Sequence, residues 1–384
     1  MMKKLVKILS FALVIIFVFS YNVFAKEEET YPVEIKAKSA ILMDCTSGKV
    51  LMKMNEHTKL PPASVTKIMP MLLVVEKIAE GEISLSDKVK TSAHAASKGG
   101  SQIWLKENEE MTVDELLKAV AVASANDACC ALGEYIAGSE QAFIRLMNNR
   151  AKELGMNDTT FVNCSGLDDT ETNYTSAYDI AVMSRELMKY EDLITKYTTI
   201  WMDNLRNGET ELVNTNKLVR FYPGTTGLKT GTTSKAGCCL SATAKRDNLH
   251  LVAVVMGSEN SQDRFETAKA MLNWGFSNYE SIKPVIDKKL ITDVIVEKGA
   301  EKSVRPAIPQ TENILVKKGK AKDIIQTINL AIAVTAPVEK GQTLGTVEFS
   351  LDGEKLAEYS LLSPENIEPL KLPLAFRRLL MKLI

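Results

Sequence analysis

A serine and a lysine stand three residues apart in the stretch PPASVTKIMP, residues 61–70, as Ser64 and Lys67. If this stretch opens a helix, Pro61 and Pro62 hold the incoming chain extended, and the two side chains fall on one face, one turn apart. A neutral lysine amine beside a serine hydroxyl can take its proton, and a helix N-terminus favours the negative charge that then forms. That is a nucleophile built without histidine. Alone the pair carries little weight, because S-x-x-K is short and an exposed helix start with a solvated lysine has the same spelling.

Two later stretches change its weight. Ser124-Ala125-Asn126 lies in a helical region, and Lys229-Thr230-Gly231 begins a strand-like block rich in Gly, Thr and Val. S-x-x-K and K-T-G each occur once, whereas S-x-N recurs as Ser258-Glu259-Asn260, downstream of K-T-G. The ordered set S-x-x-K, S-x-N, K-T-G is the one found in class A β-lactamases and penicillin-binding proteins. On these motifs, and on TTFVNCSGLDD (159–169), NTNKL (214–218) and LNWGF (272–276), the chain resembles the D-alanyl-D-alanine carboxypeptidases. These are low-molecular-mass penicillin-binding proteins, serine peptidases of the S11 type, and the resemblance covers most of the chain. One departure is visible: family members often carry a Pro and a His where this chain has Cys164 and Ser165.

The resemblance implies a peptidoglycan pentapeptide ending in D-Ala-D-Ala as substrate, with β-lactam antibiotics acylating the same serine. Ser64 would attack the carbonyl of the penultimate D-Ala, giving an acyl-enzyme that water hydrolyses. Lys67 would be its base, which requires its ordinary pKa of ~10.4 to fall through burial beside a second cation, with Lys229 as candidate. Residue identity alone leaves the choice of base open. Ser124 stands where relatives relay a proton to the departing D-Ala, and Asn126 where an amide holds the substrate backbone. Lys229 and Thr230 would meet the terminal carboxylate, and the N–H groups of Ser64 and Thr232 would form the oxyanion hole. Arg264, by its spacing before Trp274-Gly275-Phe276, aligns with an arginine that fixes the same carboxylate. Gly231 is expected because a side chain on a cleft-lining strand would obstruct the substrate. No cofactor and no metal is required.

Three rival readings share parts of this machinery. A class A-like β-lactamase draws superficial support from Glu153 in ELGMN (153–157), but the continuation into DTTFVN reads as a helix end and makes Glu153 structural. A D,D-endopeptidase uses the same residues on crosslinked peptides. An inactive penicillin-binding scaffold is disfavoured by the intact motif set.

Strands at both ends of a helical middle must position these residues. AILMDCTSGKVLMKMN (40–55) predicts two strands around a Thr46-Ser47-Gly48 turn. From about Lys67 to Tyr190 the periodicity is helical. It is clearest in TVDELLKAVAVASANDACCALGEYIA (112–137), where Thr112 and Glu115 spell a capping box. From Gly224 two strand-like runs follow, separated at Arg246-Asp247-Asn248, and DRFETAKAMLNWGF (263–276) returns to helix. The expectation is an α+β, β-lactamase/transpeptidase-like domain: an antiparallel sheet flanked by helices, with a helical subdomain. Beyond Ile282, glycine turns about every ten residues predict a small all-β sandwich. In the tail PLKLPLAFRRLLMKLI (369–384), Phe376, Leu379, Leu380, Leu383 and Ile384 share one helical arc, with Arg377, Arg378 and Lys382 off it. Such an amphipathic helix suits a membrane surface with anionic lipid.

Composition supports this layout. The 384 residues are 45% hydrophobic and 25% charged, enough for a sizeable core, and 47 Lys plus Arg against 48 Asp plus Glu remove any global electrostatic case for nucleic acid. Lys3 and Lys4 precede an apolar run from Leu5 to Phe19, and Val23 and Ala25 suit a signal peptidase. This predicts an export signal, with a retained anchor as the alternative, and a site of action at the outer face of the cytoplasmic membrane. Six cysteines include no C-x-x-C pair, and none of the three histidines stands at a zinc-ligand spacing from them, so free buried thiols are expected. The implied division is 1–25 signal peptide, 26–281 catalytic domain, 282–366 β-rich domain and 367–384 anchor helix.

Overall fold

The strongest strand signal is LHLVAVVMGS, which is apolar on both faces, and it becomes the middle strand of the main sheet. The computed structural model describes residues 31–167 and 171–376. The predicted export signal, 1–25, and residues 377–384 of the predicted anchor helix therefore lie outside the described residues. Five strands form the sheet: β1 (Ser39–Asp44), β2 (Val50–Met54), β3 (Thr225–Thr233), β4 (Gly237–Arg246) and β5 (Leu249–Ser258). Their order is β2-β1-β5-β4-β3, and every pairing is antiparallel. β5 is buried along its whole length. The turn before β2 forms as predicted, the Asp44 carboxylate accepting from the Ser47 N–H and hydroxyl.

Two apolar layers cover the sheet, and β1 shows how alternation divides them. Ala40 and Leu42 face one core with Leu240, Phe265 and Met271, while Ile41 and Met43 face the other with Val252, Val254 and Leu72. Helix α7 (Ser261–Asn278) packs into the first core. The second is shared by α1 (Ile68–Ala79), α2 (Val113–Val122), α3 (Asn126–Ala137), α4 (Glu140–Glu153), α5 (Ala177–Leu187) and α6 (Glu191–Thr198).

Two expectations change. The Gly- and Thr-rich block from 224 makes three strands rather than two, because the polar edge strand β3 has no apolar alternation to betray it. The predicted helix over 112–137 is two helices. Its N-terminus is as expected, with Thr112 and Glu115 in a reciprocal capping box. It breaks at Ser124, whose φ of 65° lies in the left-handed region, and restarts after Ala125 at φ −61°, ψ 121°. The break spends no Gly or Pro. The Asn126 N–H, which an unbroken helix would commit to Val122, instead donates to the Ser101 carbonyl at 2.7 Å.

Beyond α7 the described residues as far as Leu362 are built mainly from strands. β6 (Tyr279–Ile282) pairs with β9 (Ile314–Lys317). Two three-stranded sheets follow, β8-β7-β11 and β10-β12-β13, built from β7 (Val294–Glu297), β8 (Ser303–Val304), β10 (Ile325–Leu330), β11 (Ala333–Thr335), β12 (Thr343–Leu351) and β13 (Glu354–Leu362). Small cores around Val347 and Phe349, and around Val294 and Leu344, hold them. Residues 372–376 are helical, with Leu372 and Phe376 exposed. No described helix is long and apolar enough to cross a membrane.

Candidate active site

Ser64 and Lys67 do share a face, by a tighter geometry than an α-helix. Ala63–Lys67 is a 3₁₀ turn that runs into α1. With three residues per turn, positions i and i+3 eclipse. The Lys67 amine stands 2.9 Å from the Ser64 hydroxyl. The expected extended lead-in is corrected at Pro62, which is helical at φ −87°, ψ −10°, followed by Ala63 at φ 49°. This sharp bend seats the serine at the end of the turn.

Lys67 is fully buried, and its second bond goes to the Ser165 carbonyl at 2.7 Å. Burial lowers its pKa to about 8. Lys229, also buried, donates to the Thr230 carbonyl at 3.1 Å, and its pKa falls well below the ordinary value through burial, then through the charges of Lys67 and Arg264. Burial, more than a neighbouring cation, is therefore what prepares Lys67 as a base.

Ser124 and Asn126 arrive from the break between α2 and α3. The Ser124 hydroxyl oxygen and the Asn126 side-chain carbonyl oxygen are buried with no partner among the described residues, while the Asn126 amide donates to the Gly99 carbonyl at 2.7 Å. Unpaired buried polar atoms cost about 1–3 kcal/mol each, so two on motif residues mark a place where a ligand completes the bonding. The next residue, Asp127, fixes the segment above them: its buried carboxylate accepts from the N–H groups of Ile103, Leu105 and Ala128 at 2.9–3.2 Å.

Gly231 is needed for a reason other than the expected one. A Cβ there would stand 2.6 Å from the Pro62 carbonyl oxygen and 2.9 Å from the Ser64 and Val65 nitrogens. Glycine lets β3 press directly on the backbone of the nucleophile turn. Arg264, from α7, is buried and donates through Nη1 to the Gly231 carbonyl at 3.0 Å, the Thr232 hydroxyl at 2.9 Å and the Cys239 carbonyl at 3.3 Å. Nη2 reaches the Ser261 hydroxyl, and Nε is buried without a partner among the described residues. The guanidinium thus ties down the strand that carries K-T-G. The Thr230 hydroxyl donates to that of Thr215 at 2.7 Å.

Several contributors carried no motif signal. The Ser165 carbonyl is backbone and cannot be read from residue identity. The loop that presents it is locked to the nucleophile turn by Asn173, whose amide bonds Thr66 and the Asn163 carbonyl, both at 3.1 Å. Gly166, at φ 81°, leaves no room for a Cβ beside the Ala63 carbonyl. Glu153, by contrast, ends α4 with an exposed carboxylate paired to Arg150 at 3.1 Å, as suits a structural residue.

Residues 24–260 match the D-alanyl-D-alanine carboxypeptidase family, and residues 279–369 match the C-terminal domain of penicillin-binding protein 5. The chain is similar to the D-alanyl-D-alanine carboxypeptidase DacF of Bacillus subtilis, 43% identical over 96% of this chain and 95% of that protein. It is also similar to DacC of Escherichia coli, 33% identical over 92% and 90%. Among solved structures, penicillin-binding protein 5 of Haemophilus influenzae is 31% identical with a TM-score of 0.76, covering 88% of this chain and 99% of that one. Penicillin-binding protein D2 of Listeria monocytogenes, in its ampicillin-bound form, is 29% identical with a TM-score of 0.59, covering 64% and 100%. The lysine-paired serine, the two unsatisfied motif residues and the K-T-G edge strand are set in the fold of these relatives, and the chain belongs to the D-alanyl-D-alanine carboxypeptidase family of penicillin-binding proteins.

Proposed function

We propose that the chain removes the terminal D-Ala from peptidoglycan stem peptides through an acyl-enzyme on Ser64. The observation that carries this reading is the 2.9 Å bond from a fully buried Lys67 to Ser64, beside unpaired Ser124 and Asn126 oxygens. Neutral Lys67 takes the hydroxyl proton as Ser64 attacks the penultimate D-Ala carbonyl, and the N–H groups of Ser64 and Thr232 receive the developing oxyanion. Ser124 passes the proton to the departing D-Ala nitrogen, and Asn126 aligns the peptide. Lys229, Thr230 and Arg264 form the cationic corner for the terminal carboxylate, whose arrival restores the proton that burial makes costly on Lys229. Water then cleaves the ester. A β-lactam mimics the same peptide and stops at the ester stage.

The test is intact-mass analysis with benzylpenicillin over hours, alongside D-Ala release from a pentapeptide. One persistent adduct, mapped to Ser64, with D-Ala release is the expected result. Rapid turnover to penicilloate would make the protein a β-lactamase, and a folded protein without adduct or release would make it a scaffold.

The place of action is proposed as the outer face of the cytoplasmic membrane, after export directed by residues 1–25. Support comes from Leu372 and Phe376, exposed on the helical stretch 372–376, and from the basic residues that follow in sequence. The mature chain should co-sediment with vesicles containing anionic lipid, and removal of residues 367–384 should abolish this. Equal sedimentation of the two forms would reject the anchor.

A further inference from the structure

Four residues far apart in sequence converge behind the Lys67 side of the site. Cys130 comes from α3, Glu140 from the first turn of α4, Cys164 from the loop that holds Ser165, and His94 from the short helix Ala93–Ala96. The Cys130 and Cys164 sulfurs and a Glu140 carboxylate oxygen all lie within 4.8 Å of one another, and the Cys130 sulfur shares a second such group with a His94 ring nitrogen and a Glu134 carboxylate oxygen. Cys164 Sγ is 3.2 Å from Glu140 Oε1, and His94 Nε2 is 2.7 Å from Glu140 Oε2. No disulfide uses any of these thiols. Glu140 already pairs with Lys98 at 2.5 Å and accepts from the Cys164 N–H at 3.3 Å, but those bonds do not explain why the Cys164 thiol also meets it with the Cys130 sulfur close by.

We propose that Cys130, Cys164, Glu140 and His94 bind one thiophilic divalent cation of the Zn²⁺ class. Sulfur, nitrogen and oxygen ligands held about 2.0–2.3 Å from a tetrahedral ion sit about 3.5 Å apart, so Cys130, Cys164 and Glu140 must draw in from within 4.8 Å, and the half-exposed His94 ring must turn toward them to complete the set. Both thiols release their protons on binding. Two thiolates and one carboxylate then carry three negative charges, which the ion and Lys98 balance. Cys130, Cys164 and Glu140 are buried, while the His94 side chain is 48% exposed, giving the ion a way in from the surface. Once bound, the ion would join α3, α4 and the loop whose next residue, Ser165, holds Lys67.

The test uses the full chain, reduced and stripped with a chelator, and titrated with Cd²⁺ as the probe. The expected result is a thiolate-to-cadmium ultraviolet band saturating at one ion per chain, displaced by Zn²⁺, and a rise in thermal midpoint on loading. Cys130→Ser and Cys164→Ser should lose the band, and Cys45→Ser should keep it. His94→Ala, at an exposed position that folding tolerates, should weaken Cd²⁺ affinity by at least about tenfold. An absent band, or one unchanged in Cys130→Ser, Cys164→Ser and His94→Ala, overturns the proposal. So does loss of two titratable thiols that returns with reductant alone, since the pair would then be a disulfide.

Discussion

Acylation by benzylpenicillin is expected to vanish in Ser64→Ala and to fall by about 10²- to 10⁴-fold in Lys67→Met, the range that loss of a positioned base removes. Methionine keeps the length of the lysine stem and relieves the interior of a buried amine, so folding should survive and the loss can be assigned to chemistry. The pH profile supplies the sign. Lys67 acts as a base only when neutral, and with its pKa lowered to about 8 the acylation rate should climb through that pH and level above it. Lys229 adds an opposite trend for peptide substrates. Its ammonium is already disfavoured by burial, so raising the pH further removes the charge that meets the carboxylate, and KM should rise. Stopped-flow acylation of the wild type and Lys67→Met from acid to alkaline pH would measure this. A Lys67→Met rate within tenfold of wild type would sink the assignment and turn attention to Ser124, whose hydroxyl has no other partner.

Gly231→Ala should cost both stability and rate. The added methyl would meet the Pro62 carbonyl at 2.6 Å and the Ser64 nitrogen at 2.9 Å, and both are backbone atoms with no rotamer to yield. Overpacking of this kind costs about 1–3 kcal/mol. The strand must instead shift away from the nucleophile turn, and a displacement near 1 Å in an active site lowers the rate by about 10²-fold. Urea midpoints and acylation rates of the two proteins would measure the two effects. If glycine were there only to clear the substrate, Gly231→Ala would keep wild-type stability and lose only ligand affinity. That outcome would reject packing as the reason.

Much of the site was legible because its chemistry needs particular side chains at fixed spacings. A serine with a lysine three residues on survives the exchange of an α-helix for a 3₁₀ turn, since both put the two on one face. What stayed hidden has physical causes. Ser124 interrupts an alanine-rich helix without the Gly or Pro that would announce a break, because a tertiary bond to Ser101 overrides local propensity. The acceptor on Ser165 belongs to the backbone, and Asn173 acts through a loop that no periodicity describes. The purpose of Gly231 was misread because a sequence shows that a side chain is missing, not what stands in its place. Residues 94, 130, 140 and 164 follow no metal-ligand spacing, since they are brought close by three helices and a loop.

The pairing of β1 with β5 also constrains when this protein can become a protein. Ser39 lies opposite Met256, so the central sheet joins residues more than 200 positions apart with the whole helical subdomain between them. Contacts of such separation close late and slowly, because the intervening loop must lose its freedom before the strands gain anything. A growing chain cannot complete its catalytic sheet until β5 has emerged, because β5 is the strand that joins β1 to β4 and β3. The sheet that braces the nucleophile turn therefore closes only after most of the domain has been made, however early Ser64 and Lys67 appear in the chain.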